Sequence, residues 1–420
     1  MEVVKAVQEY LHKNVLTKDM KWWVQFRKPE NIMKHQDTFL YCEILLYVMA
    51  FLTLVHAIRN GGRFWWLWVA ALFHGLTVEC VSYFLPEIDN FWHAQSMVML
   101  IGQRLPFHIV LLYPAFYYIA SVAVSHMNLR WWAEPFAVGL SVVLLDVPYD
   151  IMGVKLLWWT WHDDDPNIFD RHYWVPWTSY YFHATFAAGF TFVFHGLRSF
   201  CSQPHKFQSS GFIPEFIVAV MTGVLAMPCG MVQFLPVYHP LHDLYHIHTE
   251  VCVLLLLAAY LLIVWSADRV RFQEGRPAGS RYKFNEVTLA VFLHYLLYIY
   301  LVIKAEPNKI RSLGFHQPVG SCTSEPVAVQ TPFGHTLQKQ KYLCVEKYSE
   351  DYFDFHCVKK PPVINQEWYT ICGTPFVNHV EYILVVAAFC VLGLFWYWQL
   401  LFRSGVLPRS KVAHRKLHRE

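Results

Sequence analysis

Charged side chains are scarce in this chain, and their scarcity is the first constraint on its class. Only 15% of the 420 residues are Asp, Glu, Lys or Arg, whereas 55% are hydrophobic and 17% aromatic. Soluble domains carry about a quarter charged residues, so this composition favours a protein of the lipid bilayer. The net charge of +3 is too small to indicate nucleic acid as a partner.

Several familiar sequence motifs are also missing. The chain contains no P-loop, no dinucleotide-binding fingerprint, no HExxH and no GxSxG sequence. None of the enzyme classes that these motifs define is therefore indicated.

Long apolar runs are present instead, and a run of about 20 residues is enough to cross a bilayer as a helix. The third run is interrupted by Gln103, Arg104 and Pro106, so its helix is expected to begin near Pro106. The sequence predicts an all-α fold, a polytopic bundle of about nine transmembrane helices. The nine runs cover residues 39–58, 64–84, 96–125, 134–155, 178–197, 212–234, 247–266, 284–303 and 381–402.

Basic residues fall in alternate connections between these runs, which predicts the orientation of the chain. The positive-inside rule places the basic connections in the cytoplasm. An integral protein of the endoplasmic reticulum or plasma membrane is expected, with its N-terminus outside or lumenal and its C-terminus cytoplasmic. The basic connections carry Arg59, Arg63, Arg130, Arg198 and Lys206 among others.

The remaining segments complete the predicted domain organisation. Residues 1–37 repeat an apolar residue at Val3, Val7, Leu11 and Val15, which is typical of an amphipathic helix on the membrane surface. Eight helices occupy 38–303, an extracytoplasmic loop occupies 304–380, and the last helix covers 381–402. Residues 403–420 form a basic cytoplasmic tail.

Four of the ten cysteines lie in the 304–380 loop, at Cys322, Cys344, Cys357 and Cys372. An even number of cysteines on the oxidising side of a membrane predicts two disulfides, with three pairings possible. A zinc site is the weaker alternative, because no CxxC spacing is present.

Ionisable residues within the apolar runs are the first candidates for a functional site, since they are costly there unless they are paired or hydrated. Asp146 and Asp150 are four residues apart and would share one helix face, where they could share a proton or bind a cation. Glu79 interrupts the second run, and Arg104 is a candidate counter-ion for Glu79 or for one of these aspartates. The alternative for Arg104 is that its side chain extends to the lipid headgroups. His183 enters the fifth run.

The stretch from Val237 to Glu250 is the second candidate, because it holds four histidines and two carboxylates. If it is helical after Pro240, then His242, His246 and Glu250 stack on one face at i, i+4 and i+8. Imidazole and carboxylate groups stacked in this way could hold a divalent metal such as zinc, iron or magnesium. Contacts of interfacial side chains with headgroups and water are the alternative interpretation.

Most of these polar groups fall in the outer half of their predicted helices, so we expect them to meet in one pocket that opens to the outer or lumenal side. The predicted catalytic residues are Asp146, Asp150, Glu79, His183 and Arg104, and the predicted metal ligands are His239, His242, His246 and Glu250.

Three functions fit such a pocket. An enzyme that acts on a lipid or isoprenoid-like molecule would use these groups as acids, bases or metal ligands. A proton- or ion-coupled transporter would use them as a relay, although the chain has no convincing internal repeat. A receptor or structural membrane protein would use the cysteine-containing loop to meet its partner. Membrane lipids are the expected surroundings in each case.

One local resemblance bears on this choice. The succession Asp146-Val-Pro-Tyr-Asp150, then Gly153, a tryptophan-rich turn and Trp174-Val-Pro176 resembles the polytopic membrane carotenoid hydratases over about a tenth of the chain. In this chain tryptophan stands where that family has glycine before Val-Pro, and the cysteine-containing loop has no counterpart. The resemblance implies a distant fold relationship and an apolar substrate.

Overall fold

The computed structural model describes residues 18–85, 88–161, 165–198, 206–273, 284–348 and 350–403. The predicted amphipathic positions Val3, Val7, Leu11 and Val15 lie outside these ranges, as does the basic tail beyond Arg403.

Nine helices of 19 residues or more run through the described residues, each built on one of the apolar runs of the sequence. The third begins at Phe107, directly after Pro106. The helices are α1 (Pro29–Asn60), α2 (Arg63–Phe84), α3 (Phe107–Ser125), α4 (Glu134–Lys155), α5 (Trp177–Arg198), α6 (Phe212–Met231), α7 (Thr249–Gln273), α8 (Glu286–Lys304) and α9 (His379–Trp398).

Eight of these nine helices in the described chain are long and apolar enough to cross a membrane. The exception is α5, because residues such as Tyr180, His183 and Thr185 lower its mean hydropathy. It nevertheless packs between α4 and α6 as a member of the bundle. Hydropathy therefore supports eight of the about nine predicted spans, and the protein is a multi-pass membrane protein.

The helices differ in how much of their surface is buried, and this defines the layers of the bundle. Almost all of α3 and α4 is buried, so these two helices form its centre. In contrast, α7 and α9 expose leucines such as Leu262 and Leu384 on one side. Exposed aliphatic faces of this extent are suited to contact with lipid chains.

Short strands lie at one end of the bundle, so the prediction of an all-α fold is wrong in this respect. The strands are β1 (Val24–Phe26), β2 (Phe91–His93), β3 (Val98–Leu100), β4 (Leu105–Pro106), β5 (Trp159–Trp161), β6 (Arg171–His172), β7 (Val175–Pro176), β8 (Arg311–Phe315), β9 (Val327–Gln330), β10 (Thr336–Lys339), β11 (Phe353–Asp354) and β12 (Trp368–Gly373). Polar connections between membrane helices need hydrogen-bond partners for their backbone, and short antiparallel ladders supply them.

Residues 305–378, between α8 and α9, form a small domain that we call the cap. Its three-stranded antiparallel sheet has β12 between β8 and β11, and β9 pairs with β10 as a hairpin. Disulfides join Cys322 to Cys344 and Cys357 to Cys372. The prediction of two disulfides is confirmed, and the four thiols are not available to bind zinc.

The cap is joined to the bundle by polar contacts at the same end as the other strands. Ala94 forms a β-bridge with Gly314 of β8. At the end of α4, the ammonium of Lys155 donates to the Pro375 carbonyl at 3.0 Å. We call this the cap end of the bundle.

The opposite end, which we call the basic end, is held by ion pairs between helix termini. The Arg63 Nε lies 2.9 Å from Glu215 Oε2, and both side chains are buried. Arg59 pairs with Glu286 at 2.7 Å, and Lys206 pairs with Glu134. The basic connections of the sequence therefore meet one another at one end of the molecule.

Candidate functional site

Helix α4 carries Asp146 and Asp150 on one face, one helical turn apart. Both side chains are buried, and Asp146 has no exposed surface at all. Pro148 lies inside the helix between them. Because Pro148 has no backbone N–H, the Leu144 carbonyl loses its usual donor and accepts instead from the Tyr295 hydroxyl of α8 at 2.9 Å.

Helix α5 supplies the two groups that face these carboxylates. The His183 Nε2 lies 3.1 Å from Asp146 Oδ1. The Ser179 hydroxyl donates a hydrogen bond of 2.6 Å to Asp150 Oδ2. One ligand atom from each of Asp146, Asp150 and His183 lies within 4.8 Å of the others, and we call these three residues the aspartate–histidine cluster.

The Asp146 carboxylate is the least satisfied member of the cluster. Neither of its oxygens has a hydrogen-bond partner of good geometry among the described residues, although both are buried. Burying a carboxylate without compensation costs several kcal/mol, and the nearby Asp150 carboxylate adds repulsion when both groups are ionised. A proton shared by the two groups or a bound cation would offset both costs.

A glycine explains how α4 and α5 come close enough to form the cluster. Gly139 is seven residues before Asp146 and therefore lies on nearly the same helix face. A Cβ atom added at Gly139 would lie only 2.5 Å from the carbonyl oxygen of Ala184, which adjoins His183. The missing side chain thus sets the spacing of the two helices beside the cluster.

Glu79 belongs to a second polar group, which lies between α2, α3 and the strands of the cap end. The Tyr113 hydroxyl donates to Glu79 Oε1 at 2.8 Å, and the His93 Nε2 lies 3.9 Å from Glu79 Oε2. One and a half turns earlier on α2, His74 Nε2 lies 3.2 Å from the Tyr117 hydroxyl.

Arg104 is not paired with Glu79, Asp146 or Asp150, contrary to the prediction. Its Nη2 lies 2.6 Å from Asp89 Oδ1, and its guanidinium packs over the ring of Phe315 at 4.7 Å. The pairing follows from chain geometry, because Arg104 precedes α3 and lies in the same connection as Asp89 rather than inside the bundle.

The histidine-rich stretch does not form one continuous helix face, so the prediction that His242, His246 and Glu250 stack on that face is wrong. The chain is helical from Tyr238 to Leu244, with a π turn over Pro240–Leu244, but it leaves the helix before α7 begins at Thr249. Between them, His246 has a left-handed φ of +54°. The side chains of His246 and Glu250 are exposed.

The reason for the break is that α7 takes its N-terminal cap from another part of the chain. The Asp170 carboxylate accepts hydrogen bonds from the Thr249 backbone N–H at 2.7 Å and from its hydroxyl at 2.8 Å. An anionic oxygen stabilises a helix start at that residue, so α7 begins at Thr249 and not after Pro240.

His239 and His242 are held by a buried carboxylate that the sequence interpretation did not single out. The Nδ1 atoms of His239 and His242 donate to the two oxygens of Asp243 at 2.7 and 2.8 Å. Burial of the Asp243 carboxyl acts to raise its pKa, but the hydrogen bonds and charges of the two histidines outweigh it and lower the pKa to about 2.

This arrangement predicts a local loss of stability in acid. A carboxyl whose pKa is lower in the folded state stabilises that state above its ordinary pKa of about 4, and the stabilisation is lost as the pH falls toward 2. We expect the turn 236–248 to lose about 1 kcal/mol of local stability over this window, after allowance for solvent screening. Hydrogen–deuterium exchange of the backbone amides in this turn, corrected for the intrinsic exchange rate at each pH, measures the loss of local stability.

The matched control is Asp243→Asn, which keeps the shape of the side chain but cannot titrate. Its turn should already be less protected at pH 5 and should change little between pH 4 and pH 2. Equal acid sensitivity in the two proteins would show that another group controls the turn.

The structure thus divides the predicted site residues among separate places. The aspartate–histidine cluster brings together Asp146, Asp150 and His183. Glu79 instead accepts a hydrogen bond from Tyr113, and Arg104 lies at the cap end. His239 and His242 share Asp243.

Two further buried polar residues, Ser179 and Glu43, were missed by the sequence interpretation. Ser179 gave no signal, because a serine in an apolar run is common. Glu43 lies in the apolar run of α1 and accepts a hydrogen bond from the Met97 backbone N–H at 3.0 Å. The criterion that identified Glu79, a carboxylate inside an apolar run, would have identified Glu43 as well.

The fold and the cluster together define a multi-pass membrane protein with ionisable residues buried in the centre of its helix bundle. A family model described as "Domain of unknown function (DUF7802)" matches residues 2–402, so the chain belongs to this family. No curated protein and no solved structure matches the chain.

Proposed function

We propose that the aspartate–histidine cluster binds a divalent cation and that the protein is an integral membrane enzyme acting on a lipid or isoprenoid-like molecule. One observation carries this proposal: three metal-ligating groups from two helices lie within 4.8 Å of one another, and the Asp146 carboxylate is buried without a hydrogen-bond partner of good geometry.

The charges and donor atoms of the cluster favour a divalent cation. Two ionised carboxylates and a neutral imidazole carry a charge of −2, which one divalent ion neutralises. A mixed set of oxygen and nitrogen donors suits zinc or ferrous iron, and magnesium is the alternative if oxygen ligands dominate. Ser179 would then act as a positioning residue, because its hydroxyl orients Asp150.

A metal ion held by the cluster would keep a coordination position for a reactant. Three protein ligands leave at least one coordination position for water or substrate, as in catalytic rather than structural metal sites. About a fifth of the His183 side chain is exposed, so the cluster is not sealed within the bundle. Because α4 is apolar enough to cross a membrane, a molecule that reaches the cluster from the bilayer must itself be largely apolar.

The reaction class that fits this arrangement is the addition of water, as hydration or hydrolysis. A cation-bound water would supply a hydroxyl group to one substrate carbon, and a cluster carboxylate would accept its proton. That proton would then pass to the adjacent carbon in a hydration, or to the leaving oxygen in a hydrolysis. An apolar substrate is also what the resemblance to carotenoid hydratases implies.

We propose that the cap end faces the lumen or the outside of the cell. Both disulfides lie in the cap, and disulfides persist on the oxidising side of a membrane. The opposite end carries Arg59, Arg63 and Lys206, as expected for cytoplasmic connections. The N-terminus is then outside or lumenal and the C-terminus cytoplasmic.

The decisive experiment measures metal content and affinity in the purified full-length protein. We expect about one zinc, iron or magnesium ion per chain after equilibration with each metal. Asp146→Asn and His183→Gln should each weaken binding at least about tenfold, because losing a direct ligand costs no less than losing one of its hydrogen-bond partners. The variants should also stop turnover of a membrane lipid extract followed by mass spectrometry.

The control variants are His246→Asn and Glu250→Gln, which remove two exposed groups of the histidine-rich stretch. Asparagine tolerates the left-handed backbone at position 246, so neither change should alter metal binding. Absence of a bound metal in the wild-type protein, or equal binding by the Asp146→Asn variant, would contradict the proposal.

A proton- or cation-coupled transporter is the second candidate, and the polar groups between the cap end and the bundle centre favour it. His93, Glu79 and Tyr113 form one connected group, and His74 contacts Tyr117 below it. Such groups can pass protons or cations through a bundle. Flux of protons or metal ions into proteoliposomes, lost in Glu79→Gln, would support this function over the enzyme.

A further inference from the structure

A groove at the cap end has the shape and lining of a ligand site that is separate from the aspartate–histidine cluster. Its volume is about 400 Å³, within the usual range for small-molecule sites. It lies where Tyr83, in the last turn of α2, meets β8 and β12 of the cap. We refer to it as the cap groove.

Aromatic side chains make up much of the cap groove. They come from three separate parts of the chain, which the fold brings to one surface. They are Trp22, Tyr83, Phe315 and Trp368.

Polar residues also line the cap groove. Asp19, Lys21, Gln25 and Gln103 line it. The Gln25 Oε1 is buried and has no hydrogen-bond partner among the described residues. A buried amide oxygen without a donor is costly, so a rotation of the Gln25 side chain that lets a ligand hydroxyl donate to this oxygen would stabilise the complex.

The charges in the cap groove favour a neutral ligand. Arg104 is neutralised by Asp89 at 2.6 Å and is stacked on Phe315. The remaining charges, Lys21 and Asp19, are of opposite sign. Among the described lining residues, a phosphate group would be attracted by Lys21 and repelled by Asp19, so an anionic headgroup is poorly matched.

The backbone segment that contributes Gly102 and Gln103 to the cap groove is held in a rare conformation. Ile101, Gly102 and Gln103 all have left-handed φ values, of +46°, +62° and +62°. This conformation costs free energy for a β-branched residue such as Ile101. It places Gly102 against Trp22, where an added Cβ would lie 2.9 Å from the indole nitrogen.

From these features we infer that the cap groove binds a neutral sugar ring. The C–H groups of a pyranose pack against the electron-rich faces of aromatic rings. Its hydroxyls would form hydrogen bonds with the amide and carboxylate side chains that line the groove. Because the groove adjoins the ends of membrane helices, the sugar ring is identified as the headgroup of a glycolipid. This inference does not depend on metal binding by the cluster.

The test uses the full-length protein in lipid nanodiscs free of sugar detergents. Octyl-β-glucoside and octyl-β-galactoside, below their micelle concentrations, are compared with an octyl tetraoxyethylene ether that has the same alkyl chain and no sugar. Saturation-transfer NMR reports ring contacts, and titration gives the affinity. At least one glycoside should bind at least about tenfold more tightly than the ether.

Two variants locate the binding. Trp368→Ala removes an aromatic face and should weaken glycoside binding about tenfold. Gln25→Leu keeps the bulk of the side chain and should weaken it about fivefold, the effect of one neutral hydrogen bond. Trp131→Ala, at an exposed tryptophan between α3 and α4, is the control and should leave binding unchanged.

Each outcome decides the inference. The inference is overturned if the glycosides and the ether bind equally well. It is also overturned if glycoside binding persists in both groove variants while these remain monodisperse. Tight binding of methyl-β-glucoside or methyl-β-galactoside without an alkyl chain would retain the sugar site but replace the glycolipid by a soluble glycan.

Discussion

Replacing Arg63 by methionine is expected to lower the free energy of unfolding by about 3–5 kcal/mol. The Arg63 side chain has no exposed surface, and it joins α2, α5 and α6 at the basic end. Its Nε donates to Glu215, and its Nη2 donates to the Phe194 carbonyl at 2.8 Å.

The large effect comes from the group that is left behind. Without Arg63, the Glu215 carboxylate stays buried, and its one remaining donor among the described residues is the Ser210 backbone N–H at 3.1 Å. An ionised carboxylate in an apolar interior costs several kcal/mol unless it is paired. The thermal midpoint in detergent, measured by tryptophan fluorescence, should fall by several degrees.

The double variant Arg63→Met with Glu215→Met is the control for this interpretation. It removes both charges and keeps the volume roughly constant, so its stability should be much closer to that of the wild type. If the double variant is as unstable as Arg63→Met alone, packing and not the unpaired charge accounts for the loss.

Replacing Gly139 by alanine is expected to separate α4 from α5 and to weaken the proposed metal site without changing any of its ligands. The new Cβ would lie 2.5 Å from the Ala184 carbonyl oxygen and 3.1 Å from the Tyr260 ring. Because the first contact is with backbone, the helices must move apart, which costs about 1–3 kcal/mol.

The same movement should lengthen the contact between Asp146 and His183, now 3.1 Å. Metal affinity is sensitive to such displacements, so we expect a loss of at least about tenfold. Thermal stability and metal affinity are measured on the same preparation.

Gly196→Ala in α5 is the matched control. A Cβ there would meet no atom of the described residues within 4 Å, so the change should stabilise the helix slightly, by up to about 1 kcal/mol. If Gly139→Ala behaves like Gly196→Ala in both measurements, close helix packing does not determine the geometry of the cluster.

The sequence predicted the elements that depend on local composition. Apolar runs near Phe107 and His379 correspond to helices α3 and α9, since a segment of this kind is stable in lipid only as a helix. The loop cysteines predicted two disulfides because their number was even and their loop polar, and the pairs are Cys322–Cys344 and Cys357–Cys372.

The strands were not predictable in the same way. Most have two to four residues, such as Phe91–His93, which pairs with Trp159–Trp161. A run this short shows no periodicity that separates a strand from a turn. Its conformation is fixed by a partner that lies about 70 residues away in the chain.

For the candidate site, the sequence by itself determined that Asp146 and Asp150 share a helix face, because a spacing of four is a property of one helix. Only the tertiary structure decided that His183 joins them, that Arg104 turns to Asp89, and that His239 and His242 share Asp243. The physical reason is that a buried charge is stabilised by whichever partner the packing of the helices and loops brings within a few ångströms. That packing depends on contacts far apart in the sequence, such as Gly139 against Ala184, and these leave no local pattern.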